Sequence, residues 1–131
     1  MSKKISLLDC TIENVRSVKL ACIEEHLFLG GAEIMLIDDG TPTLSSLFVH
    51  PHYRRRGIGE ALVRAAMRWA DQNGTDLWLH VMLENEARSL YERLLFEYTG
   101  EKTEIGSFWM VKVAHDGRLA EPADVEKLLA K

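Results

Sequence analysis

The sequence predicts an α/β (α+β) fold in one domain, a central sheet flanked by helices, on three observations. Short apolar runs of strand length recur between glycine, proline and aspartate turn signals. From Ile58 the apolar residues fall at Ala61, Leu62, Ala65, Ala66, Trp69 and Ala70, the three- and four-residue steps of one helical face. Residues 77–83 are apolar at every other position and between, as a central strand covered on two sides would be. At 131 residues the chain is the length of one ordinary domain with room for a core.

The elements follow in order. Residues 5–8 read as a first strand. Thr11 can cap a helix carrying Ile12, Val15, Val18 and Cys22, but residues 15–23 fit an extended segment equally, and both readings stand. Leu27-Phe28-Leu29, Gly30-Gly31 and residues 32–37 read as a hairpin turned at the glycines. Asp38-Asp39-Gly40 makes a second turn, into a strand over 44–50 that stops at Pro51, which has no amide hydrogen for a ladder. The helix from Ile58 ends at Asn73-Gly74. After the strand at 77–83, Asn85 caps a helix whose inner face is Ala87, Leu90, Tyr91, Leu94 and Leu95. Strands over 98–102 and 108–113 close the sheet, and residues 121–130 read as a terminal helix.

Composition narrows the function class. The apolar and charged fractions, 47% and 27%, are those of a soluble globular protein, so a cytoplasmic location is expected. A net charge of −4 gives no electrostatic reason for nucleic-acid binding. No apolar stretch reaches the length of a membrane span, and Met1-Ser2-Lys3-Lys4 is followed by no signal-peptide core. Cys10 and Cys22 sit among apolar neighbours without Cys-x-x-Cys spacing, which favours buried free thiols over a disulfide or metal site. His50-x-His52 lacks the further ligands that a metal needs, so no metal is expected.

The chemistry concentrates in residues 47–62. Leu47-Phe48-Val49 reads as a buried strand, and Arg54-Arg55-Arg56-Gly57-Ile58-Gly59 as a basic loop opening a helix. Such a loop leaves backbone amides unpaired at the positive end of the helix dipole, a receptor for a phosphorylated ligand. Two alternatives compete. Gly57-x-Gly59 is part of a dinucleotide fingerprint, but Leu62 stands where a third small residue should pack. A P-loop would need Gly-Lys-Ser/Thr, which does not follow. An isolated arginine run is usually a solvated surface; its position between strand and helix favours phosphate binding here.

The spacing Val49-x-Pro51-x-Tyr53-Arg54-x-x-Gly57-Ile58-Gly59-x-x-Leu62 resembles the acyl-CoA signature of the GNAT superfamily of N-acetyltransferases. The block from Asn85-Glu86-Ala87 through Leu90-Tyr91-Glu92-Arg93-Leu94-Leu95-Phe96 resembles that family's later helix, commonly Asn, Ala, then Leu-Tyr-Glu-x-Leu-Gly-Phe. The likeness covers roughly residues 44–113. Leu95 stands where the family has Gly, and Asn85 lies one residue closer to Tyr91 than in many members.

This resemblance implies a mixed, mostly antiparallel sheet and transfer of an acetyl group from acetyl-CoA to a primary amine by direct attack. The N-terminal region is shortened: family members usually carry two helices between the first and second strands, and here there is room for about one of average length. The implied cofactor contacts are Leu47, Phe48 and Val49 for the pantetheine arm, and Arg54, Arg55, Arg56, Gly57, Ile58, Gly59 and Glu60 for the pyrophosphate. Asn85 and Tyr91 complete the set, with Asn85 also readable as a plain helix cap. Tyr91 is the implied general acid for the departing thiolate, although the same position belongs to an apolar helix face. Glu84 is the candidate general base; Glu33 is a second carboxylate to weigh, and His80 reads as a satisfied core histidine. Many family members deprotonate the amine through water, so a dedicated base is optional. The acceptor is left open between a small molecule and a peptide or protein amine. The short N-terminal region, with Phe108, Trp109 and Met110 apolar on both faces of the last strand, points to a homodimer. A non-catalytic acyl-CoA-binding or protein-interaction module is the alternative function.

Overall fold

The computed structural model describes residues 4–12, 15–36 and 41–114. Seven strands among them form one sheet: β1 (Lys4–Ile12), β2 (Val15–Glu24), β3 (Leu27–Leu36), β4 (Pro42–Val49), β5 (Leu77–Val81), β6 (Glu97–Lys102) and β7 (Phe108–Lys112). The order across the sheet is β1-β2-β3-β4-β5-β7-β6, antiparallel except for β4 beside β5. Two helices, α1 (Ile58–Gln72) and α2 (Ala87–Arg93), lie on the same face, joined by Arg93 Nη2 and Glu60 Oε1 at 2.6 Å. The mixed, mostly antiparallel sheet with flanking helices is the expected fold class.

The core sits between that face and the helices. Val18, Leu20 and Cys22 of β2 and Ala32 and Ile34 of β3 are buried against Ile58, Leu62, Ala66 and Ala70 of α1. Leu77, Leu79, Val81 and Met110 extend the layer toward Tyr91, Leu94 and Phe96. Each fully buried aliphatic side chain contributes about 1.5–3 kcal/mol, which explains why the two-residue period of Val18, Leu20 and Cys22 prevails.

A helix starting at Thr11 does not form; the extended reading of residues 15–23 holds. A helix there would satisfy its own backbone, but the strand pairs with both β1 and β3 along its length and buries every second residue. The β-branched Val15, Val18 and Ile23 favour that choice. No helix therefore separates the first two strands, one fewer than the length allowed.

Gly30-Gly31 is not a turn. Both lie inside β3, and the hairpin turns at Glu25 and His26, both at positive φ (49° and 69°). Gly30 is needed for another reason: a Cβ there would stand 2.5 Å from the Phe48 carbonyl oxygen. The turn expected at Asp38-Asp39-Gly40 and the helix expected at 121–130 lie outside the described residues. The strand expected to run to Leu83 ends at Val81, and only its Leu77, Leu79 and Val81 face is buried; Met82 and Leu83 are exposed.

At the end of α2, Leu95 does not join the inner face. It is 59% exposed with φ 73°, the left-handed conformation that ends helices and for which glycine is the usual residue. Met110 is fully buried, while Phe108 and Trp109 are half-covered by Tyr98 and Lys102, and by Trp78 and His80. Trp109 thus packs on the face away from the helices, and the large exposed apolar residues of β1 to β4 are Leu7, Leu8, Val15, Leu27, Phe28 and Phe48 instead.

Candidate active site

β4 and β5 make the cleft. They are partnered at one position, Thr43 with Trp78, and no later residue of β4 pairs with β5. A bulge accounts for the divergence: Glu33 faces Ser46 and Ile34 faces Leu44, which leaves Ser45 as the extra residue. Its Oγ donates to the Glu33 carbonyl at 3.2 Å. The backbone of Leu47, Phe48 and Val49 is thereby left open on its β5 side.

The floor of the gap is a cavity of about 170 Å³ lined by Leu47 and Ser46 of β4, His80 of β5, and Asn85, Ala87 and Tyr91. Ala87 also lines the adjoining groove of about 510 Å³, which runs between the starts of α1 and α2. Together they form one cleft from the sheet's interior to the basic loop.

The groove is built by the strand-loop-helix segment. After β4, a 3₁₀ turn over Pro51–Tyr53 leads into the arginines, with Arg54 Nε donating to the Val49 carbonyl at 3.2 Å. Gly57 caps α1 at φ 75°, a conformation that disfavours a side chain. Its carbonyl accepts the Ala61 amide at 3.0 Å, whereas the preceding helical amides have no partner within α1. Val49, Arg54, Arg55, Gly57, Ile58, Gly59 and Glu60 all line the groove. Arg56 does not: its guanidinium lies 3.4 Å from Glu24 and over the Tyr53 ring. Phe48 likewise lines neither part of the cleft; its ring stacks on Phe28 across the bare face.

Five groove residues, Glu86, Ala87, Ser89, Leu90 and Arg93, were missed as site residues in the sequence. Arg93 and Ser89 enter from α2, brought there because that helix crosses the start of α1. Glu60, a carboxylate in a basic groove, is held by Arg93 and by Arg64 at 3.3 Å, which offsets its repulsion of an anion. A cation near the sequence's second block was visible at position 93, but its partner lay 33 residues away.

Tyr91 lines the inner cavity. It is 7% exposed, its ring packed edge-on against Phe96 with centroids 5.7 Å apart. Burial pushes its phenol pKa up, so it holds its proton at neutral pH. Among the described residues its hydroxyl has no hydrogen-bond partner, and it opens on the cavity. Ring packing and a cleft-facing hydroxyl coexist. Asn85 both lines the cavity and accepts the Ala87 amide on Oδ1 at 2.8 Å, so it caps α2.

Glu84 sits exposed in the turn after β5 and lines neither part of the cleft. Glu33 is on the face away from the helices, 3.1 Å from Lys19 Nζ. His80 corrects its expected place: it is exposed and lines the inner cavity rather than the core, because among the described residues β5 has helices on one face only. Its Nδ1 lies 2.9 Å from Ser107 Oγ. His50 and His52 stack on each other, with His50 Nδ1 accepting the His52 amide at 3.3 Å. Cys10 and Cys22 are free thiols, half-buried and buried. Among the described residues no helix is long and apolar enough to cross a membrane.

The model of the acetyltransferase (GNAT) family matches residues 4–96. An uncharacterized N-acetyltransferase of Bacillus subtilis, YhfO, is 36% identical over 105 residues, covering 70% of this chain and 66% of that protein. The mycothiol acetyltransferase of Mycolicibacterium vanbaalenii is 35% identical over 69 residues, 53% of this chain but 23% of that longer protein. The crystal structure of the PaiA N-acetyltransferase from Thermoplasma acidophilum in complex with coenzyme A superposes with a TM-score of 0.64 at 24% identity. That match covers 74% of this chain and 60% of the other. With the family model matching residues 4–96, strands and basic loop included, the chain belongs to the GNAT family of acetyltransferases.

Proposed function

We propose that this protein is an acetyl-CoA-dependent N-acetyltransferase acting as one domain in the cytoplasm. The observation that carries the reading is the continuous cleft from the start of α1 to Tyr91. The pyrophosphate fits against the free amides of residues 57–60, with Arg54, Arg55 and Arg93 supplying charge. The pantetheine arm then follows the unpaired edge of Leu47, Phe48 and Val49, as an added strand would. A backbone amide of that edge can hold the carbonyl oxygen as it gains charge. In the PaiA structure the bound molecule is coenzyme A, which supports the same ligand here.

Thioester and amine meet in the inner cavity. The amine nitrogen attacks the carbonyl carbon, the C–S bond breaks, and Tyr91 Oη gives its proton to the thiolate. The acceptor is a primary amine of a small molecule, peptide or protein. Leu7, Leu8, Phe28 and Phe48, all about half exposed or more, supply apolar surface for a homodimer.

Native mass spectrometry of protein purified from cells tests donor and assembly together. It should show two chains, each carrying CoA. Gly57→Asp, which adds strain at φ 75° and a negative charge, should lose the CoA while its circular dichroism stays that of the folded protein. A folded variant that binds CoA as tightly as the wild type would contradict the donor site, and a single chain at all concentrations would contradict the dimer.

A further inference from the structure

We propose that His80, held by a Ser107–Thr103 hydroxyl pair, is the general base that takes a proton from the acceptor amine, and that Glu84 has no such role. The proposal rests on the transfer reading above and adds the residue that readies the nucleophile.

Placement is the first argument. On β5, Leu79 and Val81 are buried beneath the helices, so His80 between them projects to the opposite face. It nevertheless lines the same small cavity as Tyr91, which comes from the helix side. A thioester lying between β4 and β5 would meet Tyr91 on one side and His80 on the other. Attacking amine and departing thiolate need their proton acceptor and proton donor in separate places. Among the described residues no helix covers the His80 face, which leaves it as the way in for an amine.

The second argument is how the ring is held. Ser107 is 1% exposed, at the end of the turn joining β6 to β7, where Thr103 N donates to the Ser107 carbonyl at 2.8 Å. Ser107 Oγ lies 2.6 Å from Thr103 Oγ1 and 2.9 Å from His80 Nδ1. When His80 Nδ1–H donates to Ser107 Oγ, the serine hydroxyl turns its own hydrogen to Thr103 Oγ1. That arrangement leaves the Nε2 lone pair free to accept. It also survives protonation, because an imidazolium needs an acceptor at Nδ1 and Ser107 supplies one. The Trp109 ring packs against the imidazole in an edge geometry, with centroids 4.9 Å apart. A histidine that lines the cavity with one nitrogen anchored on a buried hydroxyl, and the other left without a partner among the described residues, is arranged as bases in acyl transfer are.

The proton balance closes. The acceptor arrives as an ammonium; His80 Nε2 takes one proton and later returns it to solvent. The free amine attacks, and Tyr91 protonates the CoA thiolate. The second nitrogen proton, lost as the amide forms, restores the Tyr91 hydroxyl. One proton is released per acetyl group transferred.

The test separates a base from a structural residue by using two probe amines in a thiol-release assay at neutral pH. Benzylamine is mostly an ammonium there, whereas 2,2,2-trifluoroethylamine is already the free base. His80→Gln should lower benzylamine turnover about a hundredfold or more while the rate with trifluoroethylamine stays near the wild type. Ser107→Ala should lower benzylamine turnover by a smaller factor with the same amine preference, as a positioning residue. Equal losses on both amines, or no loss with benzylamine, would overturn the assignment. Glu84→Gln that reproduces the His80→Gln pattern would overturn it too. Wild-type protein that binds acetyl-CoA yet turns over neither amine would overturn the transfer reading and this one together.

Discussion

The two sides of the cleft are built from different materials. On the donor side two helix starts, a left-handed glycine and the arginines 54, 55 and 93 converge on one groove. On the acceptor side the sheet stands without helices among the described residues, and its residues Phe28, Phe48, His80 and Glu33 are exposed or half-exposed. In the reading proposed above, the donor side recognises charge with fixed backbone dipoles, which cost no reordering when the ligand arrives. The acceptor side offers side chains on a strand surface, which can change without disturbing the core. A family can thus keep one donor while its members take different acceptors.

Disturbing the donor side alone should act on CoA affinity. Arg55→Ala removes a groove cation and should weaken calorimetric CoA binding about tenfold or more, since charged hydrogen bonds contribute about 1.5–3 kcal/mol. Arg56→Ala is the control from the same loop. Its side chain is turned toward Glu24, so affinity should change by less than about threefold. Equal losses would mean that the loop acts by general charge rather than by groove geometry.

The smallest expected effect is on stability. Leu95 holds φ 73° without burying its side chain. Left-handed backbone costs a non-glycine residue roughly 1–2 kcal/mol, and glycine's extra unfolded freedom gives back about 0.4–1. Leu95→Gly should therefore stabilise by about 0.5–1 kcal/mol, seen as a rise of about 2–4 °C in melting temperature with CoA affinity unchanged. A lower melting temperature would mean that the Leu95 side chain contributes packing not apparent from its exposure.

The same division explains what could be read from the sequence. The donor loop is local: strand end, arginines, glycines and helix lie within about twenty consecutive residues, and each contributes by its own backbone preference. Residues 12–22 satisfied helical and extended spacing alike, and only pairing with β1 and β3 on both sides decided between them. Gly30-Gly31 carried a turn signal, yet the glycines serve the close approach of Phe48 and the ring of Phe28. His80 looked like core because the strand's apolar neighbours suggested cover on both faces. Whether a second layer exists is a property of the whole chain. Arg93 reached the groove through a partner far away in sequence, Glu60, which no local pattern reports.

The central claim is that Tyr91 donates a proton to CoA in an acetyl transfer. Tyr91→Phe keeps the ring against Phe96 and removes only the hydroxyl. Measured beside the wild type with acetyl-CoA and the same amine, it should bind the donor equally well and turn over about two to four orders of magnitude more slowly. Equal binding with full turnover would contradict the account and leave Tyr91 as a core aromatic.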